Sequence, residues 1–259
     1  MKHPDFFPFM HELASAAGRA IAPFFRATGT VENKADANSR FDPVTQGDRA
    51  SEAAMRALIN CWFPDHGIVG EEYGSEREDA DYVWVLDPID GTRSFIAGVP
   101  TWGTLIGLLH EGKPVGGMMA QGFTGERFFG DGKSAFYRGP DGERQIRARA
   151  CASLADATLF TTDYRMFQGK QRDSYLAVDD KVRLTRFSAD CYAYCMLAAG
   201  QADLVIDVGL KPYDIVALIP VIEGAGGIIT SWTGGTVTEG GDAVAASDPR
   251  LHAEVMKLL

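Results

Sequence analysis

Residues 101–139, TWGTLIGLLHEGKPVGGMMAQGFTGERFFGDGKSAFYRG, repeat a strand, turn, strand rhythm with EGKP as one tight connection, the pattern of an antiparallel meander. A meander buries one or both faces only if other elements cover it. The preceding sequence offers that cover. Residues 5–26 set Phe9, Leu13, Ala16, Ala17, Ala20, Ile21 and Phe24 at helical spacing, which predicts a long amphipathic helix. NKADANSRFDPVTQGD is polar and turn-rich, and Arg49 to Trp62 resumes a helical pattern. GIVG and YVWVLDP read as short buried strands.

Beyond the meander, PDGERQIRARA reads as a polar separator. The second half then alternates strand and helix: ATLFTTD, DCYAYCMLAAG closing on Gly200, ADLVIDVG, IVALIPVIEGAG kinked at Pro220, and GGIITSW. The expected organisation is an N-terminal α+β half, residues 1–140, and a C-terminal α/β half, residues 141–259, each covering the other's sheet. A chain of 259 residues is near the upper limit for one core.

The net charge of −10 argues against nucleic acid as a partner, because phosphate backbones are bound mainly by Lys and Arg. It leaves small phosphorylated substrates open, since a bound cation reverses the local sign. No stretch approaches the roughly 20 apolar residues of a membrane span, and MKHPDFFPFMHELASAAG does not read as a secretion signal. The expectation is a cytoplasmic enzyme with no membrane partner. Cys61, Cys151, Cys191 and Cys195 show no CxxC spacing, and the last two read as small hydrophobes packed on a helix.

The chemistry concentrates in VWVLDPIDGTRSF, where an apolar strand runs into Asp87 and Asp90, with Glu71 and Glu72 upstream in IVGEEYG. Pro88 has no N–H and fixes its φ, so the strand cannot simply continue. Gly91 lets the backbone approach a ligand, and Thr92 opens a segment able to start a helix. Two carboxylates and the Ile89 carbonyl can then converge on one point. Oxygen donors without His or Cys favour a hard cation, Mg²⁺ above all. A strand end followed by an Asx turn is the structural alternative for these residues. The haloacid-dehalogenase pattern DxDG is absent, because the two aspartates here are three apart.

GEEYG, VTQGD, DPIDGT and LKPYDIVALIPVIEGAGG stand in the order and approximate spacing of the inositol monophosphatase family, Mg²⁺-dependent and lithium-sensitive phosphatases. The resemblance spans about residue 8 to residue 258. Within the family, DGTRSF, RFSADCYAY and Tyr213-Asp214 in place of Trp-Asp look most like bacterial histidinol-phosphate phosphatases of the inositol monophosphatase type. The resemblance implies an α/β (α+β) fold layered as an α-β-α-β-α sandwich, two or three Mg²⁺ ions, a small phosphorylated metabolite as substrate, and a homodimer.

It also implies roles. Glu71, Asp87 and the Ile89 carbonyl would hold one Mg²⁺, and Asp87, Asp90 and Asp214 a second, with Glu71 reaching a third. Thr92, supported by Asp48, would orient the attacking water beside Glu71, and Gly91 and Thr92 would offer amides to the phosphate. Asp190 is either a helix cap or a substrate contact. Asp207 stands where inositol phosphatases carry a substrate-contacting glutamate. Arg93 guides phosphate or pairs with a carboxylate. Lys34 is either a loop lysine near the metals or a solvated one. Glu72 points away from Glu71 if the segment is extended, and His66 reads as a packing or surface residue.

The implied reaction is hydrolysis of L-histidinol phosphate, with inositol, fructose bisphosphate and nucleotide phosphatases as rivals of the same fold. A partner-binding protein with a relic site is the alternative of another class. It would be expected to have lost an acid, and Glu71, Asp87, Asp90 and Asp214 all stand.

Overall fold

A computed structural model describes residues 5–27, 32–33 and 43–259; Lys34 lies outside them. The chain opens with α1 (Phe7–Ile21), the ribbon strands β1 (Glu32–Asn33) and β2 (Pro43–Val44), and α2 (Gln46–Trp62). There follow β3 (Gly67–Gly70), β4 (Gly74–Glu76), β5 (Tyr82–Asp90) and α3 (Thr92–Ile96). The meander is β6 (Gly103–His110), β7 (Lys113–Gln121), β8 (Glu126–Gly130), β9 (Ala135–Gly139) and β10 (Gly142–Ile146). These strands form one eight-stranded sheet, β10-β9-β8-β7-β6-β5-β3-β4, in which only β3 and β5 run parallel.

The second sheet comes from β11 (Thr158–Thr161), β12 (Leu184–Phe187), β13 (Leu204–Leu210), β14 (Ile228–Ser231) and β15 (Gly241–Ala246), ordered β12-β11-β13-β15-β14. Its helices are α4 (Lys170–Asp179), α5 (Asp190–Ala198), α6 (Pro212–Ile215), α7 (Ile219–Gly224) and α8 (Pro249–Val255).

Strand alternation builds the layers. Leu105, Met119 and Phe128 face one way, onto Cys195, Leu197, Ile215 and Ile222 of the middle helices. Their neighbours Ile106, Met118 and Phe129 face the other way, onto Met10 and Leu13 of α1 and Met55 and Ile59 of α2. In the second sheet, Val205 and Ala245 turn to the middle layer, while Leu204, Ile206 and Val244 meet Tyr175, Val178, Leu251 and Val255 of α4 and α8. The result is the expected α-β-α-β-α sandwich.

Several boundaries differ from the sequence reading for identifiable reasons. The first helix ends at Ile21: the Ala22 N–H still donates to the Gly18 carbonyl at 3.0 Å, but Pro23 has no N–H to carry the ladder further. The second starts earlier, at Gln46, because Thr45 and Asp48 close a capping box. The polar separator contains β10, an exposed edge strand paired with β9, which needs no apolar face. The helix expected to kink at Pro220 is instead two short helices, with Pro220 in the first turn of α7, where its missing N–H leaves no bond unmade.

Candidate active site

The parallel pairing of β3 with β5 places Gly70 opposite Leu86, so the next residue on each strand, Glu71 and Asp87, emerges at the same edge. The Glu71 N–H donates to the Leu86 carbonyl at 3.2 Å, extending that ladder by one bond. Past Asp87 the pairing of β5 with β6 shifts register. The Ile89 N–H donates to Asp87 Oδ1 at 2.9 Å, and the Thr104 hydroxyl to the Pro88 carbonyl at 2.8 Å. This pinned turn brings Asp90 round beside Asp87. Asp214 arrives from α6, where its Oδ2 accepts the Lys211 N–H at 2.7 Å. Asp87, Asp90 and Asp214 each bring a carboxylate oxygen within 4.8 Å of the others.

Crowding sets the electrostatics. Asp87 is 2% exposed. Burial, then the charges of Glu71, Asp90 and Asp214, hold its carboxyl well above the usual range. Burial and the charges of Asp190 and Asp214 do the same to Asp90, against a hydrogen bond from the Cys191 N–H at 2.7 Å. Such a set of oxygen donors, strained by mutual repulsion, fits a hard divalent cation. Asp87, Asp90 and Asp214 could hold it together with Glu71, and the Ile89 carbonyl lies in the same turn.

The other expected residues divide. Gly91 takes φ +81° and leads into α3, and a Cβ there would lie 2.8 Å from Asp190 Oδ2, so both conformation and space require glycine. The Thr92 hydroxyl donates to the Ile89 carbonyl at 3.1 Å. Asp48 is buried, and its Oδ2 accepts both the N–H and the hydroxyl of Thr45, at 2.8 and 2.6 Å. The Thr92 proton therefore goes to Ile89 here rather than to Asp48. Burial outweighs the two Thr45 bonds and pushes the Asp48 carboxyl up to about 6.

Asp190 does not cap α5. The cap position is Ala189, and Asp190 is the first helical residue, with φ +46°. Its Oδ2 instead accepts the Ser94 hydroxyl at 2.7 Å; burial raises its carboxyl above the usual range, against that bond and the Arg93 charge, which favour the ionised form. Two hydrogen bonds, Ser94 to Asp190 and Cys191 to Asp90, thus fasten the start of α5 to the DPIDGT loop.

Asp207 departs from the sequence expectation. It is 1% exposed on the middle-layer face of β13, and its carboxylate accepts Thr162 N–H at 2.7 Å, Thr161 hydroxyl at 3.1 Å and Tyr194 hydroxyl at 3.0 Å. It locks β11, β13 and α5 together, and its shorter side chain is consumed by the protein before it could meet a substrate. His66 is a packing residue, stacked between Phe63 and Tyr82, with Trp84 Nε1 donating to its Nδ1 at 3.1 Å. Sequence reasoning missed Glu52 and Arg56, which follow Asp48 at four-residue intervals on one face of α2. Charges repeating every fourth residue toward a buried face were the available signal.

Among the described residues no helix is long and apolar enough to cross a membrane. Against known proteins, the chain is 44% identical over 259 residues to the chloroplastic bifunctional phosphatase IMPL2 of Arabidopsis thaliana, covering 95% of this chain and 72% of that protein. It is 32% identical to the histidinol-phosphatase of Mycobacterium tuberculosis, over 89% of this chain and 90% of that one. An inositol monophosphatase from Zymomonas mobilis superposes with a TM-score of 0.87 at 38% identity, over 99% of both chains. The profile of the inositol monophosphatase family, whose members are metal-dependent phosphatases, matches residues 5–259, and the chain belongs to that family.

Proposed function

We propose that the protein hydrolyses L-histidinol phosphate to L-histidinol and phosphate, with Mg²⁺ bound by Glu71, Asp87, the Ile89 carbonyl, Asp90 and Asp214. The observation that carries the metal-dependent chemistry is the three-carboxylate cluster of Asp87, Asp90 and Asp214. The substrate rests on the similarity to histidinol-phosphatases of three bacteria, each at 32% identity. Bound divalent cations supply charge neutralisation and Lewis-acid stabilisation for the transferring phosphoryl group. Thr92 and Glu71 orient the water that forms the new O–P bond, and Asp48 holds the start of α2 beside them. Gly91 and Thr92 meet the phosphate with backbone amides. The leaving alkoxide departs as the alcohol, taking up a proton.

Histidinol phosphate carries an ammonium and an imidazole, and the Asp190 carboxylate beside Gly91 offers such a cation a charge-assisted hydrogen bond. Arg93 balances that carboxylate. Inositol monophosphate is the second reading, favoured by the 38% identity to the Zymomonas mobilis inositol monophosphatase. A panel of histidinol, inositol, fructose and nucleoside phosphates assayed with Mg²⁺ separates them. Histidinol phosphate should be turned over with the highest kcat/KM; a preference for inositol phosphate overturns the substrate assignment and leaves the phosphatase in place. A homodimer is part of the same proposal, read by sedimentation.

A further inference from the structure

Helix α2 reaches the site twice. Its first turn carries Asp48, and one and two turns on it carries Glu52 and Arg56, both buried. Glu52 is 0% exposed, and both of its carboxylate oxygens are engaged by the protein. Its Oε2 accepts the Glu72 N–H at 2.7 Å, and its Oε1 accepts the Tyr73 N–H at 3.2 Å and Arg56 Nε at 2.8 Å. Arg56 then grips the far side of the same hairpin, donating to the Gly74 carbonyl and pairing with Glu76 at 2.7 Å. A Cβ on Gly70 would sit 2.1 Å from Glu52 Oε1, so glycine there is what lets the carboxylate slide under the turn. The backbone on both sides of Glu71 is therefore held: its own N–H by Leu86, and the next two amides by Glu52.

We propose that Glu52 is a positioning residue for cation binding: it fixes the turn Glu71–Glu72–Tyr73 from beneath, and so aims the Glu71 carboxylate at Asp87. This rests on the reading of Glu71 and Asp87 as ligands of one cation. The physical reason is entropic and geometric. A turn between β3 and β4 with free amides samples several orientations, and a ligand on it binds only from one of them. A charged acceptor buried under two amides removes the others, because leaving those donors without a partner inside the protein is costly.

Glu52→Gln tests it. Gln retains one acceptor oxygen and replaces the other by an NH₂, which would face either the Glu72 N–H or the pair of donors at Tyr73 and Arg56. One side of the turn is then released. Titration calorimetry of Mg²⁺ into the protein without substrate should show affinity falling about tenfold, at the low end for a partner that orients a ligand. The KM for phosphate ester at saturating Mg²⁺ should stay at the wild-type value. Leu251→Ala, on the buried face of α8, serves as a control that lowers the melting temperature and leaves Mg²⁺ affinity unchanged.

Should Glu52→Gln fail to fold, Arg56→Gln keeps the two amide bonds and frees the hairpin at Gly74 and Glu76, and Mg²⁺ affinity should again fall, by less than in Glu52→Gln. Wild-type Mg²⁺ affinity in either folded variant overturns the proposal. So does an equal loss in Leu251→Ala, which would make the effect one of general stability. A wild-type protein that binds no Mg²⁺ refutes the metal site itself rather than the role of Glu52.

Discussion

Replacing Asp207 by Asn is expected to stabilise the protein at neutral and alkaline pH. Burial pushes this carboxyl from 3.8 up to about 6, against the hydrogen bonds from Thr162, Tyr194 and Thr161 that favour its ionised form. At about 1.4 kcal/mol per pH unit, ionised Asp207 destabilises the folded chain by about 3 kcal/mol above pH 6. The sign follows from the raised folded value. Between about pH 6 and 4 the folded protein takes up a proton that the unfolded chain does not yet hold, so the penalty fades on acidification and is gone below about pH 4. Asn imitates the protonated acid. Its Oδ1 can keep Thr161 and Thr162, and its NH₂ can donate to the Tyr194 hydroxyl, which accepts as readily as it donates. In a chain of 259 residues, about 3 kcal/mol raises the melting temperature on the order of 6 °C. Thermal melts of both proteins from pH 4 to 8 measure it: the variant should melt higher at pH 8 and the two curves should converge near pH 4. An Asn variant that melts lower at pH 8, or keeps the wild-type slope, refutes the account. A loss of turnover confined to histidinol phosphate would return Asp207 to the substrate.

Other outcomes follow from the site. Asp87→Asn should lower turnover by orders of magnitude and abolish Mg²⁺ binding in calorimetry, while the metal-free protein melts no lower than wild type because one member of a repelling set is gone. Thr92→Ala should keep wild-type Mg²⁺ affinity and lose kcat, whereas Asp214→Asn should raise the Mg²⁺ needed for half activity; identical metal titrations for the two would undo that division of roles. His11 packs on Phe129 and its Nδ1 accepts from Arg127 Nη1 at 3.0 Å, and burial together with the Arg138 and Arg127 charges lowers its pKa to about 4. The folded protein needs it neutral, so stability should decline as pH falls from 6.5 toward 4, and His11→Gln should flatten that part of the profile in denaturant melts.

What the sequence disclosed depended on whether the signal was local. Asp87, Asp90 and Gly91 lie within five residues, and although β5 runs on through Pro88 to Asp90, the proline has no N–H and sits where the pairing with β6 shifts register, so their convergence was legible. The meander was legible because its apolar runs are punctuated by turns. Helix α4 was not, since Tyr175 and Val178 are its only buried residues and leave almost no periodic pattern. Nor was β12, an edge strand whose Leu184, Arg186 and Phe187 are exposed. The fate of Asp207 was invisible for another reason. Its spacing from Asp214 was correct for a substrate contact, but its partners lie 46 residues back at the end of β11, 45 residues back just beyond it, and 13 residues back in α5. Only the strand order reveals that those donors reach it first.

The same long separations explain why this site is a property of the assembled sandwich and not of either sheet. Glu71, Asp87 and Asp90 belong to the eight-stranded sheet, and Asp214 to the layer between the sheets. The hydrogen bonds that bring the layers into register at this point, Cys191 to Asp90 and Ser94 to Asp190, span 101 and 96 residues. Each half thus carries carboxylates that repel across the joint, and the joint closes against that repulsion. A cation bound among them reverses the sign of the interaction, so binding and closure favour each other. At a concentration a hundredfold above its Kd, such an ion stabilises the folded state by about 2.7 kcal/mol. The acids repel one another in the empty fold and a cation bound among them would offset that repulsion, and this is the physical sense in which the site is built around a charge it does not itself contain.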